Sequence, residues 1–195
     1  MKRETMEPFG AVFDLAQGYV EPTGVVSETR ISDMGGLYAD EAARERLERD
    51  DPLVYRVVGA PVPEKAGEVP FSITTIESGV VGQEFFMTKG HTHLRFEGEI
   101  YFGLSGEGLL LLYDGEKAHW ISIGPGKAGY IPPGWAHRTV NVGSEPLRFL
   151  AVYPGAAGHD YDFVRKNGMG VRVMTSADGY RVVRDSAARS EDSKK

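Results

Sequence analysis

Cysteine is absent from this chain of 195 residues, which excludes disulfide staples and thiolate metal ligands together. Long apolar runs are missing as well. The longest, Leu109-Leu-Leu-Leu-Tyr113, is far too short for a helix that crosses a bilayer, and residues 1–8 carry no apolar stretch behind their positive charges. A cytoplasmic protein with no membrane partner is therefore expected. Positive charge is not in surplus either: the formal net charge is -6, which argues against broad attachment to nucleic acid while leaving room for a small pocket that takes a phosphate. A small molecule is the expected partner. Helical periodicity is scarce too, since only residues 40–49 read as a helix, with Asp40 as N-cap and Asp51-Pro52 as the stop.

What the chain does have is a succession of short β-rich runs broken by Gly or Pro, at 53–58, 71–76, 85–93, 99–104, 108–113, 119–123, 129–131, 138–142, 147–153 and 171–174. Asp114-Gly115 is a hairpin signal, and residues 124–126 and 143–145 read as similar turns. Many short strands with frequent turns predict an all-β sandwich or barrel. The length fits one domain with a sizeable core, and the polar residues 185–195 read as a frayed tail.

Two segments carry candidate chemistry. In an extended strand alternate side chains share a face, so His91 and His93 can grip one ion while Thr92 points away. After a turn at 94–98, a returning strand would present Glu99 beside them; Glu97 is the rival carboxylate, nearer the turn. The same alternation puts Tyr101 with Glu99 and turns Ile100, Phe102 and Leu104 to the opposite, apolar face. The segment 126–141, with Pro132 and Gly134 in its turn, delivers His137 as a third imidazole. Three imidazoles and one carboxylate are a complete donor set for a divalent transition metal. His119 lies outside both segments and reads as structural.

The pattern Gly126-x5-Pro132-x-Gly134-x2-His137-x3-Asn141 is identified as the second motif of the cupin superfamily. The first cupin motif is met by His91-x-His93 and Glu99-x6-Gly106, although five residues separate His93 from Glu99 and Phe85 stands at the leading glycine. More narrowly, Met87-Thr88-Lys89-Gly90-His91-x-His93, Glu99-Ile100-Tyr101, the 132–141 stretch and Ala157-Gly158-His159-Asp160-Tyr161 resemble the cupin-type glucose-6-phosphate isomerases of archaea, by motif over about 55–161. That resemblance implies a cupin double-stranded β-helix, a jelly-roll sandwich with a few short helices, forming one domain over 1–184 with an N-terminal extension. It implies a homodimer and the interconversion of glucose 6-phosphate and fructose 6-phosphate, the step shared by glycolysis and gluconeogenesis. It also implies His91, His93, Glu99 and His137 as ligands of one divalent metal per subunit, iron(II) first, with Mn(II), Ni(II) or Zn(II) as alternatives.

Glu99 and His159 are the catalytic residues by resemblance, and Tyr55, Thr74, Thr88, Gly90, Tyr101, Tyr153 and Tyr161 the substrate-binding ones. Glu99 would move a proton between C1 and C2, although a metal-bound carboxylate is a weakened base and a metal-assisted hydride shift is the other route. His159 would face the sugar and assist ring opening as acid or base. Each assignment has a plainer reading: strand threonines suit sheets whatever their role, and Tyr101, Tyr153 and Trp135 can simply fill a barrel. Thr75 is the alternative to Thr74, and Thr74 and Thr88 are expected in adjacent strands. Two other functions fit the same ligands, namely an iron(II) dioxygenase and a phosphosugar-binding cupin without turnover.

Overall fold

The structure, a computed structural model, describes residues 6–185; apart from Asp185, the segment expected to fray lies outside them. A hairpin, β1 (Val12–Asp14) and β2 (Tyr19–Glu21), precedes β3 (Val26–Arg30), a single 3-10 turn (Ile31–Met34) and helix α1 (Glu41–Leu47). The strand runs then follow: β4 (Leu53–Gly59), β5 (Phe71–Ile76), β6 (Val80–Val81), β7 (Glu84–Phe85), β8 (Glu99–Ser105), β9 (Gly108–Tyr113), β10 (Ala118–Ile123), β11 (Ala128–Ile131), β12 (Ala136–Asn141) and β13 (Leu147–Val152). Helix α2 (Asp162–Asn167) and the hairpin β14 (Val171–Ser176) and β15 (Gly179–Arg184) complete them. Helix α1 forms where the charged run predicted it, and the Asp40 carboxylate accepts the Ala43 amide at 2.8 Å, which satisfies one of the otherwise free N–H groups of its first turn. Among the described residues no helix is long and apolar enough to cross a membrane.

Six strands in the order β11-β8-β13-β5-β4-β3 form one sheet, and it faces a second made of β10-β9-β12, with the four strands β15-β14-β7-β6 as a third. This is the expected jelly-roll sandwich. The apolar run in β9 is buried along its whole length, and Leu110, Ile123, Ile131, Val140 and Phe149 pack in one cluster between the sheets. Burial of each such large side chain contributes about 1.5–3 kcal/mol.

The sequence expectation of a continuous strand over 85–93 is not met. Only Glu84–Phe85 is strand, and beyond it Met87, His91 and Thr92 make isolated bridges to Val140, His137 and Asp160. Gly90 interrupts the strand with φ +76, a conformation that L side chains rarely adopt. Thr74 and Thr88 consequently are not in adjacent strands: Thr74 lies on β5 of the large sheet, whereas Thr88 runs beside Thr139 on β12 of the facing one. The face of β8 read as apolar also turns outward, with Ile100 49% and Phe102 40% exposed while Glu99 and Tyr101 are buried. In a barrel whose interior holds polar groups, alternation still fixes the faces but hydrophobicity no longer tells inside from outside.

The motif asparagine is a fold residue. Fully buried, Asn141 donates through Nδ2 to the carbonyl oxygens of Ile76 at 3.0 Å and Glu145 at 2.9 Å, and its Oδ1 accepts the Gly143 amide at 3.0 Å. These bonds tie the turn between β12 and β13 to the end of β5. Asn141→Ala leaves buried carbonyls unpaired and is expected to lower stability by about 2–3 kcal/mol. Thermal unfolding followed by circular dichroism checks this, and an unchanged midpoint would show that the turn holds without the side chain.

Candidate metal centre and adjoining cavity

The main chain assembles the imidazoles before the side chains do anything. His91 N–H donates to the His137 carbonyl at 3.1 Å and His137 N–H to the His91 carbonyl at 2.9 Å, which makes the two residues direct partners and brings their rings to 4.2 Å. On its other side the segment is held by Thr92, which exchanges hydrogen bonds with Asp160 at 2.9 and 2.8 Å. His93 follows one residue later on the same side as His91, its ring 5.3 Å from that of His137. Glu99 opens β8 and points inward.

One ligand atom from each of His91, His93, Glu99 and His137 lies within 4.8 Å of every other. Of the two rival carboxylates, Glu99 is therefore the one in the group. Its Oε2 is 3.3 Å from His93 Nε2 and 3.0 Å from His137 Nε2. Even so, that oxygen and the Nε2 atoms of all three histidines are buried without a hydrogen bond of good geometry, a state that costs about 1–3 kcal/mol for each group unless something else satisfies it. The outer nitrogens of two rings are engaged: His93 Nδ1 lies 2.8 Å from the Glu97 carbonyl and His137 Nδ1 3.3 Å from the Trp135 carbonyl. A carbonyl can only accept, so Nδ1 carries the proton and Nε2 presents its lone pair to the centre. Four convergent donor atoms without a well-formed hydrogen bond fit a divalent transition metal.

The electrostatics of His91 and Glu99 agree with that donor set, whereas those of His93 run the other way. Burial depresses the His91 imidazole well below its ordinary value, with His137, His159 and His93 adding to the effect, so it stays neutral. For His93 burial acts downward too, but the Glu99 carboxylate, the Glu97 carbonyl and the charges of both acids outweigh it and leave it raised. Burial pushes the Glu99 carboxyl upward, and contact with His137 and His93 more than reverses this, so Glu99 is ionised.

The centre opens into a cavity of about 510 Å³. Of the remaining residues singled out in the sequence, Tyr55, Thr74, Thr88, Gly90, Tyr101, Tyr153, His159 and Tyr161 all line it. Thr74 and Thr88 thus share the cavity across the sandwich, not along one sheet. Thr75, the alternative to Thr74, does not line it and sits against Gly18. Thr88 Oγ1 accepts the Thr139 amide at 3.1 Å, leaving its own proton for another acceptor. The pairing of Thr92 with Asp160 carries in His159, whose ring is 4.5 Å from that of His91 and stacks on Tyr161 at 6.2 Å. Burial lowers the His159 imidazole and raises the phenols of Tyr55, Tyr101 and Tyr161. His119 is exposed on β10 and outside the cluster, and Trp135 packs against the core.

Sequence reasoning missed Ser27, Ser72 and Glu64, which also line the cavity. Ser27 comes from β3, in the region read only as an N-terminal extension. Glu64 lies in the Pro- and Gly-rich connection between β4 and β5, where its carboxylate accepts the Tyr153 hydroxyl at 2.8 Å; nothing in the residue pattern marked it.

Comparison with known proteins bears on the whole chain. A family model described as glucose-6-phosphate isomerase matches residues 28–190. Relatives named glucose-6-phosphate isomerase include one from Thermococcus gammatolerans, 43% identical over 92% of this chain and 96% of that one, and one from Pyrococcus furiosus, 44% identical over 91% and 95%. Another, from Sinorhizobium medicae, is 37% identical over 95% and 90%. Among solved structures, Bacillus subtilis oxalate decarboxylase aligns with a TM-score of 0.42 and 23% identity over 51% of this chain and 25% of that one. With the family model covering most of its length and such relatives matched nearly end to end, the chain belongs to the glucose-6-phosphate isomerase family.

Proposed function

We propose that this protein interconverts glucose 6-phosphate and fructose 6-phosphate in the cytoplasm, with one divalent metal held by His91, His93, Glu99 and His137. The observation that carries the reading is the set of four buried ligand atoms without well-formed hydrogen bonds, of which those of His91, Glu99 and His137 belong to residues that line a cavity rich in hydroxyl groups. Once bound, the metal supplies Lewis acidity to adjacent oxygens of the sugar. Iron(II), Mn(II), Ni(II) and Zn(II) all accept such donors, and iron(II) is the ion we assign first.

The chain's own residues do the rest. Glu99, ionised and buried beside the reacting carbons, is the group that moves the proton between C1 and C2. His159 has its imidazole held neutral by burial and faces the same space, where it assists ring opening. Thr74, Thr88, Gly90, Tyr55 and Tyr161 hold the phosphate through hydroxyl and main-chain donors, while Tyr101 and Tyr153 contact the sugar hydroxyls. Where the lining is buried, a lower local dielectric strengthens these contacts.

We also propose that the protein is a homodimer. Support comes from the outer face of the large sheet, where Tyr130 is 58% exposed and pairs directly with the exposed Ile100 beside Phe102. Light scattering is expected to give twice the mass of one chain, and Ile100→Glu a single chain; a wild-type mass of one chain at micromolar concentration removes the dimer.

A coupled assay of fructose 6-phosphate conversion tests the reaction. Activity should vanish on chelation and return with metal, and His91→Ala, His93→Ala or His137→Ala should lose metal and activity together. Full activity in a metal-free preparation would contradict the reading. Thr88→Val removes one hydroxyl donor to a charged group, about 1.5–3 kcal/mol, and should raise KM roughly tenfold or more with a smaller change in kcat. An unaltered KM would take Thr88 out of the phosphate contacts.

A further inference from the structure

Among the described residues, a cavity meant for a phosphorylated sugar is lined without a single Lys or Arg, and its two acidic residues are Glu64 and Glu99. One arginine, however, is buried immediately behind it. Arg138 on β12 is 5% exposed, and none of the ion pairs among the described residues includes it. The acids nearest in charge terms, Glu84 and Asp185, bond to Arg172 at 2.9 and 3.1 Å. A guanidinium keeps its charge at neutral pH even when buried. A buried cation without a carboxylate in contact is expensive unless other dipoles or an incoming anion compensate it.

Among the described residues, the hydrogen bonds of the guanidinium all go to one peptide group. Arg138 Nε and Nη2 both donate to the Lys89 carbonyl oxygen, at 3.2 and 2.7 Å. The Lys89–Gly90 peptide is trans, and a trans peptide directs its N–H opposite to its C=O. With the carbonyl turned onto Arg138, the Gly90 N–H is turned away from it, on the residue that lines the cavity beside Thr88. Among the described residues this N–H has no acceptor. Contact behind the glycine is close: a Cβ there would lie 3.1 Å from Arg138 Cβ and 3.2 Å from its Nε.

We propose that Arg138 is the countercharge for the substrate's phosphate, acting through the Lys89–Gly90 peptide. Its guanidinium draws electron density from the carbonyl and makes the Gly90 N–H a stronger donor to an anion, as hydrogen bonds in series polarise one another. The positive charge thus reaches the cavity while the cation stays shielded from water. Arg138 is a positioning residue for the phosphate and does not touch the sugar. The inference rests on the reading of the cavity as a sugar-phosphate site.

A matched pair of probes isolates the effect: sorbitol 6-phosphate and sorbitol, bound to metal-loaded protein and measured by calorimetry, differ only in the phosphate. Arg138→Met should weaken sorbitol 6-phosphate roughly tenfold, the order of magnitude of one charge-assisted hydrogen bond, and leave sorbitol within about twofold. KM for fructose 6-phosphate should rise by a similar factor, with a smaller fall in kcat. Arg138→Lys, which keeps the charge with a single donor, should recover part of the loss, and it serves as the test should the methionine variant not fold. Unchanged sorbitol 6-phosphate affinity in both variants would overturn the proposal. So would equal weakening of the two probes, the mark of a loosened cavity, or wild-type protein that binds them equally. Wild-type protein that prefers the phosphorylated probe but does not convert fructose 6-phosphate would refute the isomerase reading, with the Arg138 comparison still decided by the two affinities.

Discussion

Everything in the site depends on the reciprocal pair of main-chain hydrogen bonds between His91 and His137. Side-chain flexibility alone would not hold imidazoles from separate parts of the chain with their lone pairs converging. A bridge between their backbones fixes the separation of the two Cα atoms, and the strand alternation through Thr92 then brings His93 to the same side. Thr92 turns its main chain to Asp160 instead, so the segment that supplies two ligands also recruits His159. Gly90 makes this possible by breaking the strand just before His91; a Cβ at that position would come within 3.0 Å of the His137 carbonyl oxygen.

The centre is a concentration of polar groups without well-formed hydrogen bonds, and such a site needs both support and a reason. Support comes from carbonyls that engage the outer nitrogens of His93 and His137, and from Tyr101, which packs on Phe149 and meets the His137 ring edge-on. The reason we propose is a cation. It also resolves an electrostatic conflict, because a protein of net charge -6 with Glu64 and Glu99 in its cavity must still admit an anionic sugar. The proposed metal at one end and the peptide that we propose Arg138 polarises at the other would place positive potential where the ligand's oxygens belong.

Much of this was legible in the residues. Runs bounded by Gly and Pro located β4, β5 and β8 to β13 to within a residue or two, because turn chemistry is local. The Asp40 cap marked α1, and strand alternation and motif spacing pointed to the three candidate histidines while leaving Glu97 open beside Glu99. Less legible were the short strands β1, β2, β3, β6 and β7, which owe their existence to partners distant in sequence. The outward turn of Ile100 and Phe102 escaped pattern reading because the interior of this sandwich carries polar groups, so the usual sign of the hydrophobic argument is reversed at β8. Thr74 and Thr88 meet across two sheets, a relation that no spacing encodes. Glu64 was hidden for a different reason: a carboxylate in a Pro- and Gly-rich connection looks like any solvated loop residue.

The measurement that bears most directly on the central claim is X-ray absorption at the edge of a metal titrated into metal-free protein. Saturation at one ion per chain is predicted, with a first shell containing imidazole nitrogens and a carboxylate oxygen at about 2.0–2.2 Å and a loss of the imidazole scattering when His137 is replaced. An ion that binds only through oxygen, or whose shell is indifferent to His91, His93 and His137, would contradict the account.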